Sequence, residues 1–83
     1  MTAVAIVHLP SGWTRFTDGI DEIAIDAPRV RELFVALAER FPALGEQLDQ
    51  IAVAIDGHIY HHARYEPLRS DSDVYLLPPV AGG

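Results

Sequence analysis

The residues with the clearest chemical potential stand at the end of the chain, where Leu77 is followed by Pro78, Pro79, Val80, Ala81, Gly82 and Gly83. Read as a terminus, Gly83 presents a carboxylate with an ordinary pKa of about 3.3–3.7, ionised at neutral pH and able to attack the α-phosphate of a nucleotide. To do so the end must enter a cleft built for the nucleotide. A Cβ there would crowd the attacking oxygens, whereas glycine lets backbone approach closely. Ordering glycine is entropically costly, and Pro78-Pro79 offsets part of that cost by fixing φ and favouring an extended course. An arm stiff near the body and bare at the tip suits delivery into another protein. Capture of a carboxylate terminus by a partner's backbone is a general recognition mode.

Other residues carry weaker chemistry. His58, His61, His62 and His8 invite a metal reading, because imidazole is a common ligand. On a strand, however, His58 and His62 share one face and His61 points to the other. No Cys, Asp or Glu stands beside them at ligand spacing, so we expect an exposed polar edge and no metal site. Asp71 and Asp73 read as turn chemistry, not as a catalytic carboxylate pair.

The composition narrows the classes further. The 83 residues allow one domain and no deep enclosed active site. Acidic residues number 12 against 6 basic ones, for a net charge of −6. A nucleic-acid binder needs a basic stripe, so nucleic acid is set aside as a ligand. An acidic surface suits a basic protein partner or serves solubility alone. There is no cysteine, hence no disulfide framework and no thiol nucleophile. All 6 basic residues are arginine. Without lysine or cysteine, an activated acyl group on this chain finds no side-chain amine or thiol of its own to acylate. No apolar run approaches the ~20 residues of a membrane span, and no signal peptide is visible, so a cytoplasmic location is expected.

The elements that must position the terminus follow from hydrophobic pattern. Ala3 to Leu9 is a nearly continuous apolar run and predicts a strand buried on both faces. Pro10-Ser11-Gly12 ends it. Trp13 to Gly19 is ambiguous; Trp13 is either an interface anchor or a lid on the core. Ile20 to Ile25 alternates and predicts a second strand, paired with the first as a hairpin. Val30, Leu33, Phe34, Leu37, Ala38 and Phe41 recur at helical spacing and predict a helix from about Pro28 to Arg40, closed by Pro42. Leu44 and Leu48 anchor a connecting turn. Ile51 to Gly57 predicts a strand with Ile51, Val53 and Ile55 facing one way and Ala52 and Ala54 the other, turning at Asp56-Gly57 into a polar edge strand, His58 to Tyr65. Leu68 is a candidate plug for the core. Val74 to Leu77 is the last strand, stopped by the prolines. The first and last strands are the most apolar and should lie side by side in the middle. A single helix covers one face of such a sheet and leaves the other to solvent or a partner. We place Val74 and Leu76 inward, which leaves Tyr75 and Leu77, with Val7, as a partner patch on the open face.

The order β-β-α-β-β-β resembles the ubiquitin-like β-grasp fold, an α+β architecture of four to five strands on one helix with an extended Gly-Gly tail. The segments Val30 to Leu44, Val53 to Gly57 and Glu66 to Gly83 are similar to the MoaD/ThiS sulfur-carrier family, and the Pro-Pro tail is nearest to the molybdopterin synthase small subunit. The resemblance implies a β-grasp domain over residues 1–77 and a flexible tail over 78–83. It implies that Gly83, preceded by Gly82, is adenylated by an E1-like enzyme of the MoeB/ThiF type, converted to a thiocarboxylate, and used as sulfur donor in molybdopterin biosynthesis. A larger catalytic subunit of the MoaE type would accept the tail through Tyr75, Leu77, Pro78, Pro79, Val80 and Ala81. The chain would be a carrier or small subunit and not an enzyme alone. It would hold no cofactor itself, ATP being used by the activating partner, and it would involve neither nucleic acid nor membrane. Related carriers serving tRNA thiolation, cysteine or other sulfur metabolites remain open, as does a ubiquitin-like modifier that forms isopeptides. Neither the three histidines nor Trp13 to Gly19 match the family pattern.

Overall fold

The computed structural model describes residues 4–78. The strands are β1 (Val4–His8), β2 (Glu22–Asp26), β3 (Ala52–Ile55), β4 (His58–Tyr60) and β5 (Asp73–Leu77), with one helix, α1 (Val30–Arg40), between β2 and β3. They form one five-stranded sheet in the order β2-β1-β5-β3-β4. β1 runs antiparallel to β2 and parallel to β5, and β3 is antiparallel to both β5 and β4. The most apolar strands thus sit centrally, as expected, because they bury most when flanked on both sides. Among the described residues no helix is long and apolar enough to cross a membrane.

The core lies between the sheet and α1. Ala5, Val7, Val53, Val74 and Leu76 point inward from the strands and meet Val30, Leu33, Phe34 and Leu37 of the helix. Each fully buried leucine or valine contributes about 1.5–3 kcal/mol of transfer free energy. Leu44, Leu48 and Leu68 close the core from the connecting segments, and Trp13 lies over one end with 6% exposure. Trp13 is therefore the lid and not an interface anchor. The stretch that follows it is a run of tight turns. Thr17 is fully buried there, and its hydroxyl donates to the Ile20 carbonyl at 2.7 Å. Asp18 and Gly19 take φ of 56° and 83° to turn the chain into β2.

Three expectations need correction. β1 is not buried on both faces: Ala5 and Val7 are buried, Ile6 and His8 half-buried, and Val4 exposed. One helix covers one face and nothing in the described chain covers the other. The helix starts at Val30 and not at Pro28, because Arg29 is extended (φ −144°, ψ 164°) and bridges Pro67. β4 ends at Tyr60, well short of Tyr65, because the chain then turns to cap α1. The Val30 and Arg31 amides donate to the carbonyls of Glu66 and Arg64 at 3.1 and 2.9 Å, and the Leu68 amide donates to Pro28 at 2.9 Å. Backbone carbonyls thereby satisfy helix amides that have no side-chain cap. At the other end, Phe41 (φ −130°, ψ 84°) leaves helical geometry one residue before Pro42. The β3–β4 turn follows its sequence signal: Asp56 and Gly57 both have positive φ, 49° and 89°, as a tight two-residue hairpin requires.

Candidate functional site

The open face of the sheet can be built from register alone, because laterally paired residues share a face. One row crosses all five strands: Glu22 pairs with His8, His8 with Tyr75, Tyr75 with Ala54, and Ala54 with Ile59. The row is graded. At the β2 end His8 is held on three sides. Its ring stacks on Tyr75 with centroids 4.1 Å apart and planes 10° from parallel. Its Nδ1 lies 3.5 Å from Glu22 Oε1, and its Nε2 lies 3.2 Å from Asp73 Oδ1. Asp73 is anchored in turn, since its amide donates to Asp56 Oδ1 at 2.9 Å. At the β4 end the row is apolar, with small Ala54 beside exposed Ile59. Leu77 pairs with Ala52 one step along. Ala54 is the small residue between Tyr75 and Ile59 in this row. Beside His8 a depression of about 330 Å³ is lined by Pro10, Thr14, Asp21, Glu22 and Tyr75.

Of the residues expected to meet a partner, Tyr75 and Leu77 lie on this open face, Tyr75 with 49% exposure. Val74 and Leu76 face the helix, as expected. Val7 does not belong to the patch. It pairs with Val74 and is fully buried with it; Ile6 and His8 hold the open-face positions of β1. A continuous apolar strand does not reveal its own parity, and only the pairing with β5 assigns it. The residues that sequence reasoning missed, His8, Glu22, Ala54 and Ile59, become visible once strand order is combined with alternation from Tyr75. Pro78 follows β5 directly and is exposed. Pro79, Val80, Ala81, Gly82 and Gly83 lie outside the described residues.

The histidines separate. His58 stands on β4 near Asp56 and Tyr60, His61 and His62 lie beyond it against the helix side, and His8 is on the open face. Among the described residues no three His, Cys, Asp or Glu side chains are grouped to hold a metal ion.

A five-stranded mixed sheet with parallel central strands and a single helix over one face defines the ubiquitin-like β-grasp class. Residues 13–83 match the ThiS family model, and the chain belongs to the ThiS family. Solved structures agree on the fold. Small archaeal modifier protein 1 from Methanosarcina acetivorans is 23% identical, with 100% of this chain and 99% of that one covered and a TM-score of 0.82. A putative molybdopterin converting factor subunit 1 from Pyrococcus furiosus is 22% identical over 94% of this chain and 99% of that one, TM-score 0.76. A chain from the complex of subunits 1 and 2 of molybdopterin-converting factor from Helicobacter pylori 26695 is 28% identical over 96% and 99%, TM-score 0.70. No curated protein sequence matches the chain.

Proposed function

We propose that this protein is a sulfur carrier whose working group is the carboxylate of Gly83, and that it donates sulfur in molybdopterin synthesis. The observation that carries the reading is the course of β5. It is a central strand, it bears Tyr75 and Leu77 on the open face, and it runs straight into exposed Pro78. A partner seated on that face therefore meets the root of the arm. The match to the ThiS family extends through residue 83 and so includes the arm.

The chemistry proceeds in two displacements. A carboxylate oxygen of Gly83 attacks the α-phosphorus of ATP in an E1-like partner; the C–O–P bond forms and pyrophosphate leaves. A hydrosulfide equivalent then attacks the acyl carbon, AMP leaves with the bridging oxygen, and the thiocarboxylic acid loses its proton. No internal lysine or cysteine competes for the acyl group. The catalytic groups belong to the partners. A larger subunit would accept the arm through Tyr75, Leu77, Pro78, Pro79, Val80 and Ala81, with Gly82 and Gly83 reaching its active site. The Helicobacter pylori neighbour, solved as a complex of two subunits, supports such a partner. The segment from 78 onward acts as the tail and residues 1–77 as the body that docks.

A second reading has its own support in the likeness to small archaeal modifier protein 1. On that reading the Gly83 adenylate of this chain is attacked by a lysine of another protein, giving an isopeptide. Intact mass after incubation with an E1-like enzyme, ATP and a sulfide source separates the two. Exchange of one terminal oxygen for sulfur supports the carrier; an adduct on a second protein supports the modifier. An unchanged mass with several such enzymes overturns both. Transfer of the sulfur to a molybdopterin precursor, only in the presence of the larger subunit, tests the pathway.

A further inference from the structure

His61, His62, Arg31 and Arg64 take no part in that chemistry, and they come together on the opposite side of the sheet from Tyr75. A groove runs beside α1, bounded by segment 61–65 and by Gly45 and Leu48 of the segment that follows the helix. It has two lobes of about 280 and 300 Å³ that share Phe34, Leu48 and Arg64. The floor is apolar, with Ile51 extending it in one lobe and Val35 and Ala38 in the other. The rim carries His61, His62 and Arg64 in one lobe and Arg31 and Arg64 in the other. Among the described residues neither lobe is lined by any Asp or Glu. That departs from a chain with twice as many acids as arginines. The depression beside His8 shows the converse, with Asp21 and Glu22 and no arginine.

Segment 61–65 is tied to α1 through the Arg64 and Glu66 carbonyls that cap the helix. Two of the few large apolar side chains left in solvent stand along it, Val35 at 53% and Tyr65 at 78% exposure. Exposed apolar surface next to a rim of one charge sign marks a recognition surface.

We infer that this groove docks an acidic peptide segment of a partner protein carrying one bulky apolar side chain. The apolar side chain rests on Phe34 and Leu48 beside Tyr65, and flanking carboxylates face Arg31 and Arg64. Charge complementarity selects this occupant. A nucleic acid or an anionic membrane needs a longer cationic track than these residues provide, and the net charge of −6 repels it. A partner bound here leaves the open sheet face free, so on the reading proposed above the carrier can be held by one protein while it is loaded or unloaded by another.

The test uses the full isotope-labelled chain and reads amide shifts, with no sulfur chemistry involved, so its failure leaves the reading of Gly83 untouched. Three synthetic peptides serve as probes: a phenylalanine flanked by two glutamates on each side, the same with glycine replacing phenylalanine, and the same with lysines replacing glutamates. We expect saturable millimolar binding of the acidic phenylalanine peptide, with shifts at Phe34, Val35, Leu48, Arg64 and Tyr65 and none at Tyr75. The other two peptides should bind at least about tenfold more weakly. The double variant Arg31→Glu/Arg64→Glu should lose about tenfold affinity for the acidic peptide and gain affinity for the lysine one. Arg31→Glu alone, at an exposed helix position, should move both in the same directions by a smaller factor. The inference is overturned if the lysine peptide binds wild type equally well, if shifts appear at Tyr75 instead, or if no peptide binds at millimolar concentration. It also falls if the same amides move on raising the protein concentration without peptide, since the occupant is then a second copy.

Discussion

The two surfaces that leave large apolar side chains in solvent differ in how they are made and in the charge that frames them. The open sheet face carries Val4, Tyr75 and Ile59 on regular strands, next to Glu22 and Asp73. The helix-side groove carries Val35 and Tyr65, next to Arg31 and Arg64. The first follows from alternation: any strand covered by one helix must turn every second side chain outward. The second depends on a loop that crosses the start of α1 and is fastened there by backbone hydrogen bonds. A sheet face offers a flat, register-defined platform, and a loop-and-helix groove offers depth. One small domain thus presents an acidic platform around Tyr75 and a basic groove on the helix side.

The hardest way to break this comparison is at the arm itself. Adding one alanine after Gly83 should abolish thiocarboxylate formation, read by intact mass, while leaving the peptide shifts of the groove unchanged. If loading persists, the platform loses its chemical purpose. Next in size is Leu33→Ala. Leu33 is fully buried in the stripe of α1 that joins the two surfaces. The cavity should cost about 2–5 kcal/mol, a large share of the net stability of a domain this small. Both surfaces should fail together in a urea melt followed by tryptophan fluorescence and by amide shifts. Separate transitions would mean that they are not parts of one cooperative unit.

Smaller changes sharpen the contrast. Tyr75→Ala removes the centre of the platform, where Tyr75 stacks on His8. It should weaken binding of the larger partner by about tenfold or more, measured by calorimetry, with groove binding unaffected. Gly57→Ala probes the coupling between the surfaces. At φ 89° a Cβ is strained although it meets no neighbour. The cost should be about 1–2 kcal/mol in thermal or urea unfolding. Faster amide exchange should appear both at Ile59 and along 61–65, since both follow this turn.

Much of this was legible in the residues. The apolar stripe of the helix, its closure before Pro42, the Asp56-Gly57 turn, the inward Val74 and Leu76 and the plug Leu68 each rest on a local signal: a spacing, a proline, a left-handed pair. The misreadings share a cause. Val7 reads as an open-face residue because an unbroken apolar run has no visible parity until β5 is laid beside β1. His58 to Tyr65 reads as one strand because nothing local announces that the backbone after Tyr60 leaves to cap a helix more than 30 residues upstream. The basic groove was invisible for the same reason, since Arg31 and Arg64 meet only through that cap.

What the sequence determined by itself is the set of elements and the inward faces of those that alternate, because period, turn chemistry and prolines act over a few residues. The tertiary structure alone decided which side of β1 faces water, that His8 is clasped by Glu22, Asp73 and Tyr75, and that distant arginines and histidines share one groove. Those depend on strand order and on backbone hydrogen bonds between segments far apart in the chain. No local pattern encodes such pairings, because their free energy exists only once the whole core has closed.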